Sequence, residues 1–176
     1  MAFTKAAPPH PAPPSVGVDL AAFVASLPTQ RPLRFDSTQL VYTDGSKQGS
    51  AIGAGVYDGR RRRLVSVMPR GHAGQLNTVP KAEGTGILAA LQAVPDGEDV
   101  TLLTDSLTLI HMLRSVLHNP TGYRVHKHKH MLKRTVNTML SRQGATPIFK
   151  VRAHIGVRGN ELADTAAGIA AAAQHA

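Results

Sequence analysis

The stretch from His154 to Asp164 reads His-Ile-Gly-Val-Arg-Gly-Asn-Glu-Leu-Ala-Asp. Gly156 and Gly159 indicate a loop that carries the histidine, whereas the residues from Asn160 onward predict a helix. The aspartate at the end of the stretch then falls one turn into that helix. A histidine on a loop, followed by a carboxylate at a helix start, is typical of a site that binds ions or transfers protons.

Three more acids lie far upstream, each at the edge of a predicted element. Asp44 stands in Thr43-Asp44-Gly45-Ser46, where an apolar strand meets a turn. Glu83 stands in Lys81-Ala82-Glu83 at a helix start, and Asp105 stands in Leu103-Thr104-Asp105-Ser106 after a second apolar strand. Taken singly, each acid also fits a turn former, a helix cap or a solvated surface residue. In this order and on these elements, they and Asp164 predict one cluster that only the fold brings together.

Four converging carboxylates require a cation. They repel one another and lose solvation, so without counter-ions they would protonate or strongly destabilise the fold. Magnesium prefers oxygen ligands and keeps several waters, and two such ions can activate an attacking water and stabilise the leaving oxygen of a phosphodiester. The pattern therefore predicts a divalent-metal nuclease that needs no nucleophile from the protein.

The 176 residues carry 20 Lys and Arg against 11 Asp and Glu, which gives a formal charge of +9. The length and the 42% hydrophobic content fit one globular domain. The charge favours a polyanionic partner, although a solvated basic surface explains it equally well. The sequence shows neither an apolar run long enough for a membrane span nor the apolar core of a secretory signal. Cysteine is absent, which fits a cytoplasmic or nuclear protein that is not secreted.

Residues 1–36 are rich in Pro and Ala and are interpreted as a linker or tail. Residues 37–176 are expected to form the ordered domain, with an Ala-rich C-terminal end prone to fraying. Hydrophobic periodicity predicts strands at 40–43, 51–57, 63–68, 100–104 and 148–153, and helices at 81–94, 107–117, 125–140 and from 160 onward. The order βββαβααβα predicts an α/β fold with a five-stranded mixed sheet flanked by helices.

Four segments between Leu40 and Ala170 resemble, in order, the motifs of the type 1 ribonuclease H family. Thr43-Asp44-Gly45-Ser46, Ala82-Glu83 before an apolar helix, and Thr104-Asp105-Ser106 resemble the first three. The fourth is His154-x-Gly156-x-x-Gly159-Asn160-Glu161-x-x-Asp164. Its sequence most resembles the variant of the motif in RNase H domains of non-LTR retrotransposon polyproteins. The resemblance implies a ribonuclease H-like fold and cleavage of the RNA strand of an RNA–DNA hybrid.

The same resemblance implies roles for the site residues. Asp44, Glu83, Asp105 and Asp164 would hold two Mg²⁺ ions, with Mn²⁺ as a substitute, and His154 would assist proton transfer or product departure. Polar and basic residues near the acids would contact the hybrid: Gly45, Ser46, Ser50, Asn77, Thr78, Lys81, Lys127, Lys129, Lys133 and Asn160. The implied partner besides the hybrid is a covalently linked or associated reverse transcriptase, and no membrane is involved.

The basic segment Arg124 to Arg134 carries lysines and histidines on a predicted helix. Lys129 and Lys133 share a helical face, as do His126 and His130. The lysines favour contact with phosphates of the hybrid. A solvated face and a histidine metal site are the two other interpretations of this segment.

Some residues depart from the family's pattern. Val79-Pro80-Lys81 stands where the family often carries amide side chains and an arginine, and Gly84 and Gly86 weaken the helix. Tryptophan is absent, so aromatic stacking on the DNA strand is slight or falls to Tyr123. Three alternatives therefore stay open. They are a catalytically degenerate hybrid-binding module of a reverse transcriptase, a different nuclease or transposase on a related fold, and a basic nucleic-acid binder without chemistry.

Overall fold

The computed structural model describes residues 40–69, 77–119, 127–151 and 158–175. The strands are β1 (Leu40–Gln48), β2 (Ala51–Asp58), β3 (Arg63–Val67), β4 (Thr101–Thr104) and β5 (Ile148–Lys150). The helices are α1 (Val79–Ala93), α2 (Leu107–His118), α3 (Lys129–Ser141) and α4 (Arg158–His175). This order of elements confirms the sequence-based prediction. The predicted linker and the domain start near Ser37 lie outside the described residues.

The five strands form one mixed sheet in the order β3-β2-β1-β4-β5. β1 pairs antiparallel with β2 and parallel with β4, and β4 pairs parallel with β5. The predicted α/β fold with a five-stranded mixed sheet is therefore confirmed. Because β1 has a neighbour on each side, a residue on it can meet side chains from several elements. None of the described helices is both long and apolar enough to cross a membrane.

Alternating side chains divide the core into two layers. Val41 and Leu102 lie in a hydrophobic cluster with residues of α1, α2 and α3. Their strand neighbours Tyr42 and Leu103 lie in a second cluster with Ala163 of α4. Successive strand residues point to opposite faces of a sheet. The sheet is therefore covered by three helices on one face and by α4 on the other.

β1 is longer than predicted. The sequence placed the end of the strand at Asp44-Gly45, but β1 continues to Gln48 because its last four residues pair with the start of β2. The turn follows at Gly49, whose φ of 59° lies in the region that glycine tolerates best. The predicted end of the strand was therefore wrong. Asp44 lies within a paired strand, opposite Gly55, rather than in a turn.

Two glycines of β2 let α4 approach the sheet closely. A Cβ on Gly55 would overlap the carbonyl of Ala163, and a Cβ on Gly53 would overlap the backbone of α4 one to two turns later. The Ala-rich sequence of α4 places small side chains at this contact. Near the end of the helix, the Ile52 N–H donates to Oε1 of Gln174 at 2.6 Å. α4 is helical as far as His175, and its docking places Asp164 over the sheet.

Candidate active site

Asp44 is held by the backbone around it. The residue is 4% exposed, and its Oδ1 accepts a hydrogen bond from the Gly45 N–H at 2.8 Å. Gly45 leaves room for α1, because a Cβ there would overlap the backbone of Ala82 and Glu83. α1 therefore touches the central strand directly beside Asp44, and this contact brings Glu83 to it.

Asp105 and Asp164 reach the same place from two other elements. Asp105 directly follows β4, whose last residue pairs with the residue before Asp44. One carboxylate oxygen from each of Asp44, Glu83 and Asp105 lies within 4.8 Å of the other two. Asp164, near the start of α4, hydrogen-bonds to the side chain of Asp44. The fold thus brings the four predicted carboxylates together, while their role as metal ligands stays a prediction.

Burial and mutual repulsion dominate the electrostatics of this cluster. Burial, followed by the charges of Asp105 and Asp164, raises the pKa of Asp44 to about 8, against the hydrogen bond from Gly45. Burial likewise raises the pKa of Glu83 to about 9, together with the charges of Asp44 and Asp105. None of these causes is a nearby cation. Within the described part of the chain, the electrostatics of the cluster therefore disfavour the charged form of both acids.

The cluster has the donor chemistry for a hard divalent cation. Its donors are carboxylate oxygens, which Mg²⁺ and Mn²⁺ prefer. Oε2 of Glu83 is buried and has no hydrogen-bond partner among the described residues, so it is open to coordination. A bound cation would remove the repulsion and stabilise the charged form of each acid. The residues therefore fit the predicted kind of metal.

The histidine end of the fourth motif, with His154 and Gly156, lies outside the described residues. At its other end, Asn160 on the first turn of α4 is 2% exposed. Its Oδ1 is buried, without a hydrogen-bond partner in the described part of the chain. Asn160 is therefore buried among the described residues, and its contact with nucleic acid stays a prediction.

Four residues predicted to contact nucleic acid are connected to one another. Nδ2 of Asn77 donates to the carbonyl of Ser50 at 2.8 Å, and Nζ of Lys81 donates to Oδ1 of Asn77 at 3.2 Å. Thr78 is the N-cap residue of α1, and its hydroxyl accepts from the Lys81 N–H at 3.2 Å. These bonds join the β1–β2 turn to the start of the helix that carries Glu83.

The remaining predicted contacts fall on β1 and around the start of α3. Gly45 and Ser46 are half-buried and directly follow Asp44 on the strand. Lys127, Lys129 and Lys133 are exposed, and the last two lie one turn apart on α3. Their side chains are therefore accessible to a polyanion, and their contact with nucleic acid stays a prediction.

Sequence reasoning missed two buried residues with distant partners. His128 is 6% exposed, and its Nε2 lies 3.1 Å from Oγ1 of Thr78. Arg142 is 3% exposed and donates to backbone carbonyls at the C-terminal end of α1. No local pattern in the sequence signals either contact, because each partner belongs to a segment far away along the chain.

Comparison with known proteins identifies the family and the fold of the chain. The model of the RNase H family matches residues 36–172. Comparison with curated protein sequences gives no match. Among solved structures, LC9-RNase H1 is described as a type 1 RNase H with the type 2 active-site motif. It has a TM-score of 0.57 at 19% identity, over 77% of this chain and 72% of that chain.

Two further solved structures share the fold. The protease–reverse transcriptase of prototype foamy virus has a TM-score of 0.55 at 20% identity, over 75% of this chain but only 20% of that chain. LC11-RNase H1, solved in complex with an RNA/DNA hybrid, has a TM-score of 0.50 at 18% identity, over 74% of this chain and 97% of that chain. At such identities the likeness establishes the fold. The family model spans most of the sequence, and the chain therefore belongs to the RNase H family.

Proposed function

We propose that the protein is a metal-dependent endonuclease that cleaves the RNA strand of RNA–DNA hybrids. One observation carries the proposal. In a chain of the RNase H family, carboxylate oxygens of Asp44, Glu83 and Asp105 lie within 4.8 Å of one another, and Asp164 is hydrogen-bonded to Asp44. Buried carboxylates that repel one another destabilise a fold unless a ligand neutralises them. A divalent cation is the ligand that their chemistry fits.

The four acids are the proposed ligands of two Mg²⁺ ions, with Mn²⁺ as a substitute. When bound, these ions supply activation of the attacking water and stabilisation of the leaving oxygen. Asp44 lies on a paired strand and Glu83 on a helix that touches it, so both oxygens are held on rigid elements. Since the pKa values of both acids are raised, each holds a proton that leaves when a cation binds. His154 is the proposed proton-transfer residue, because imidazole changes charge near neutral pH.

The proposed substrate is a polyanion that must be recognised along its backbone. The net charge of +9 and the exposed Lys127, Lys129 and Lys133 support this choice. LC11-RNase H1, which shares the fold, is described in complex with an RNA/DNA hybrid. The foamy virus protease–reverse transcriptase also shares the fold. This supports a further part of the proposal, that the domain works linked to or associated with a reverse transcriptase of a retroelement, in the cytoplasm or nucleus.

The test is cleavage of a strand-labelled RNA–DNA hybrid in Mg²⁺ or Mn²⁺ by the wild type and by Asp44→Asn, with EDTA as a further control. Asp96→Asn is the matched variant, because it makes the same change at an exposed acid beyond the other end of α1. We expect the wild type and Asp96→Asn to cut the RNA strand alone. Asp44→Asn and the EDTA-treated enzyme should not cut.

Two outcomes would replace the proposal. Cutting of plain duplex DNA would indicate a different class of nuclease on the same fold. A folded wild type that binds the hybrid without cutting it would indicate a catalytically degenerate, hybrid-binding module of a reverse transcriptase. Binding is measured by hybrid titration at low salt, because phosphate contacts weaken steeply as salt rises.

A further inference from the structure

His128 is a buried histidine whose ring is used outside its own helix. It occupies the N-cap position of α3 and is 6% exposed. An N-cap side chain usually accepts a hydrogen bond from the first turn of its own helix, but His128 makes no such bond. Its Nε2 instead lies 3.1 Å from Oγ1 of Thr78, 50 positions earlier in the chain. The ring therefore connects two helices rather than capping one.

The hydroxyl of Thr78 serves two contacts at once. As the N-cap of α1 it accepts from the Lys81 N–H at 3.2 Å, which occupies one of its lone pairs. The hydroxyl keeps one proton and a second lone pair, so it can donate to Nε2 of His128 or accept from it, according to the tautomer of the ring. In either case the contact with His128 selects one rotamer of Thr78.

The two helices joined by this contact carry different parts of the proposed site. α1 carries Glu83 little more than one turn after Thr78, and α3 carries the exposed Lys129 and Lys133. This hydrogen bond joins the start of α1 to the start of α3. It therefore holds the helix that carries Glu83 at a fixed distance from the helix that carries the lysines. Losing it would leave α1 and α3 packed through their apolar faces but free to shift at their first turns.

We propose that His128 is a positioning residue for hybrid binding, which holds the Thr78 hydroxyl and the start of α1 in register with the basic start of α3. The inference rests on the proposed function. It concerns how tightly the hybrid binds and leaves the metal-dependent step untouched, since the contact involves none of the four acids.

The test compares His128→Leu, which removes the hydrogen bond, with His128→Gln, whose amide can restore it near the position of Nε2. We expect His128→Leu to raise KM for the hybrid roughly three- to tenfold, as for the loss of one hydrogen bond, with kcat changed by less than about twofold. His128→Gln should recover most of this loss. His111→Leu, at an exposed histidine on α2, is the matched control and should leave KM unchanged.

A double-mutant cycle shows whether His128 acts through Thr78. In a Thr78→Val background, His128→Leu should change KM by less than about twofold, because the partner hydroxyl is already gone. If the leucine variant does not fold, His128→Phe takes its place, since it keeps a ring in the same space. An unchanged KM, equal defects in the leucine and glutamine variants, or a full additional effect in the Thr78→Val background would each overturn the proposal.

A readout without substrate separates this inference from the proposed function. The Lys81 amide should exchange with solvent faster in His128→Leu than in the wild type, because Thr78 no longer caps it in one fixed rotamer. A wild type that neither binds nor cuts the hybrid would refute the proposed function and, with it, the role of His128 in binding. A wild type that cuts, with KM and amide exchange both unaltered in His128→Leu, would refute the positioning role alone.

Discussion

Buried ionisable groups lie at both ends of α1, acids at one end and an arginine at the other, and they differ in the partners that the described residues offer them. Near the start of the helix, Asp44 and Glu83 are buried among other acids, and no cation is among the causes of their raised pKa values. At its other end, the guanidinium of Arg142 donates to four carbonyls at 2.6 to 3.2 Å, those of Leu91, Val94, Pro95 and Glu98. The described residues therefore supply acceptors for the guanidinium, whereas burial and other acids raise the pKa values of Asp44 and Glu83.

This difference indicates that Arg142 contributes to the stability of the fold, whereas the acids fit the binding of a cation. Leu91 lies in the last turn of α1 and Val94 is its C-cap residue, so Arg142 satisfies carbonyls that helix formation leaves unpaired. Burial lowers the pKa of Arg142, and the charges of Asp96, Glu98 and Asp99 act to raise it. Among the described residues, both terminal nitrogens of Arg142 have acceptors, whereas its Nε has none. The acid end is stabilised either by protonation or by a bound cation.

The largest expected effect comes from making one substitution at both ends. Glu83→Gln removes a proposed ligand and should lower kcat for hybrid cleavage on the order of 10³-fold, because several kcal/mol of transition-state stabilisation is lost. Glu98→Gln, beside Arg142, should leave kcat unchanged. Single-turnover cleavage at saturating Mg²⁺ measures both variants, and equal losses in the two would remove the distinction between the ends.

Arg142→Met tests the end that the protein neutralises. The variant removes one donor from each of four carbonyls, of which that of Pro95 keeps the Glu98 N–H, and we expect the free energy of unfolding to fall by about 3 kcal/mol. The kcat of the folded variant should match the wild type. Arg134→Met is the matched control, because it makes the same change at an exposed position of α3, the helix that ends just before Arg142. It should cost less than about 0.5 kcal/mol in urea unfolding. A cost below about 1 kcal/mol for Arg142→Met would show that water replaces the guanidinium.

The fourth acid sharpens the comparison, because Asp164 comes to the cluster on α4. Gly55→Ala adds a methyl group where the Ala163 carbonyl lies, so α4 must shift. We expect a loss of about 2 kcal/mol in stability and a lower kcat. Gly168→Ala makes the same change on α4 with no other atom within 4 Å, and should stabilise the protein by about 0.5–1 kcal/mol. If thermal melts and cleavage rates of Gly55→Ala match the wild type, the close approach of α4 does not position Asp164.

The acid end should also make the stability of the metal-free protein depend on pH. The pKa values of about 8 for Asp44 and about 9 for Glu83 in the folded protein exceed their ordinary values of 3.8 and 4.5. The folded state therefore binds more protons than the unfolded state, and the associated stability is complete below about pH 4 and is lost as pH rises through 8 and 9. The Tm of the metal-free protein should therefore fall between about pH 6 and pH 9.

Mg²⁺ and Glu83→Gln provide the controls for this pH dependence. Added Mg²⁺ should raise Tm most at high pH, because it binds the folded protein with its acids charged. Glu83→Gln should flatten the pH profile of the metal-free protein, and Glu98→Gln should not. A metal-free Tm that rises from pH 6 to 9 would contradict the electrostatics of the cluster.

The acids and the order of elements were predictable because their signals are local. Apolar spacing in α2 predicts that Leu109, Met112, Leu113 and Val116 share one side of the helix, and all are buried except Met112, which is partly buried. The extension of β1 was not predictable, since it depends on pairing with β2 rather than on its own polar residues. Arg142 was missed for a different reason. Its partners are backbone carbonyls, which every residue carries and which leave no signature in a sequence.

The position of α4 along the chain has a consequence for biosynthesis. The helix packs on β2, and the hydrogen bond from Ile52 to Gln174 spans 122 positions. The ribosome therefore releases Asp44, Glu83 and Asp105 long before Asp164, and the long loop between them closes late. We expect a growing chain to lack Asp164 at the site, and so to be inactive as an enzyme, until translation has passed this helix.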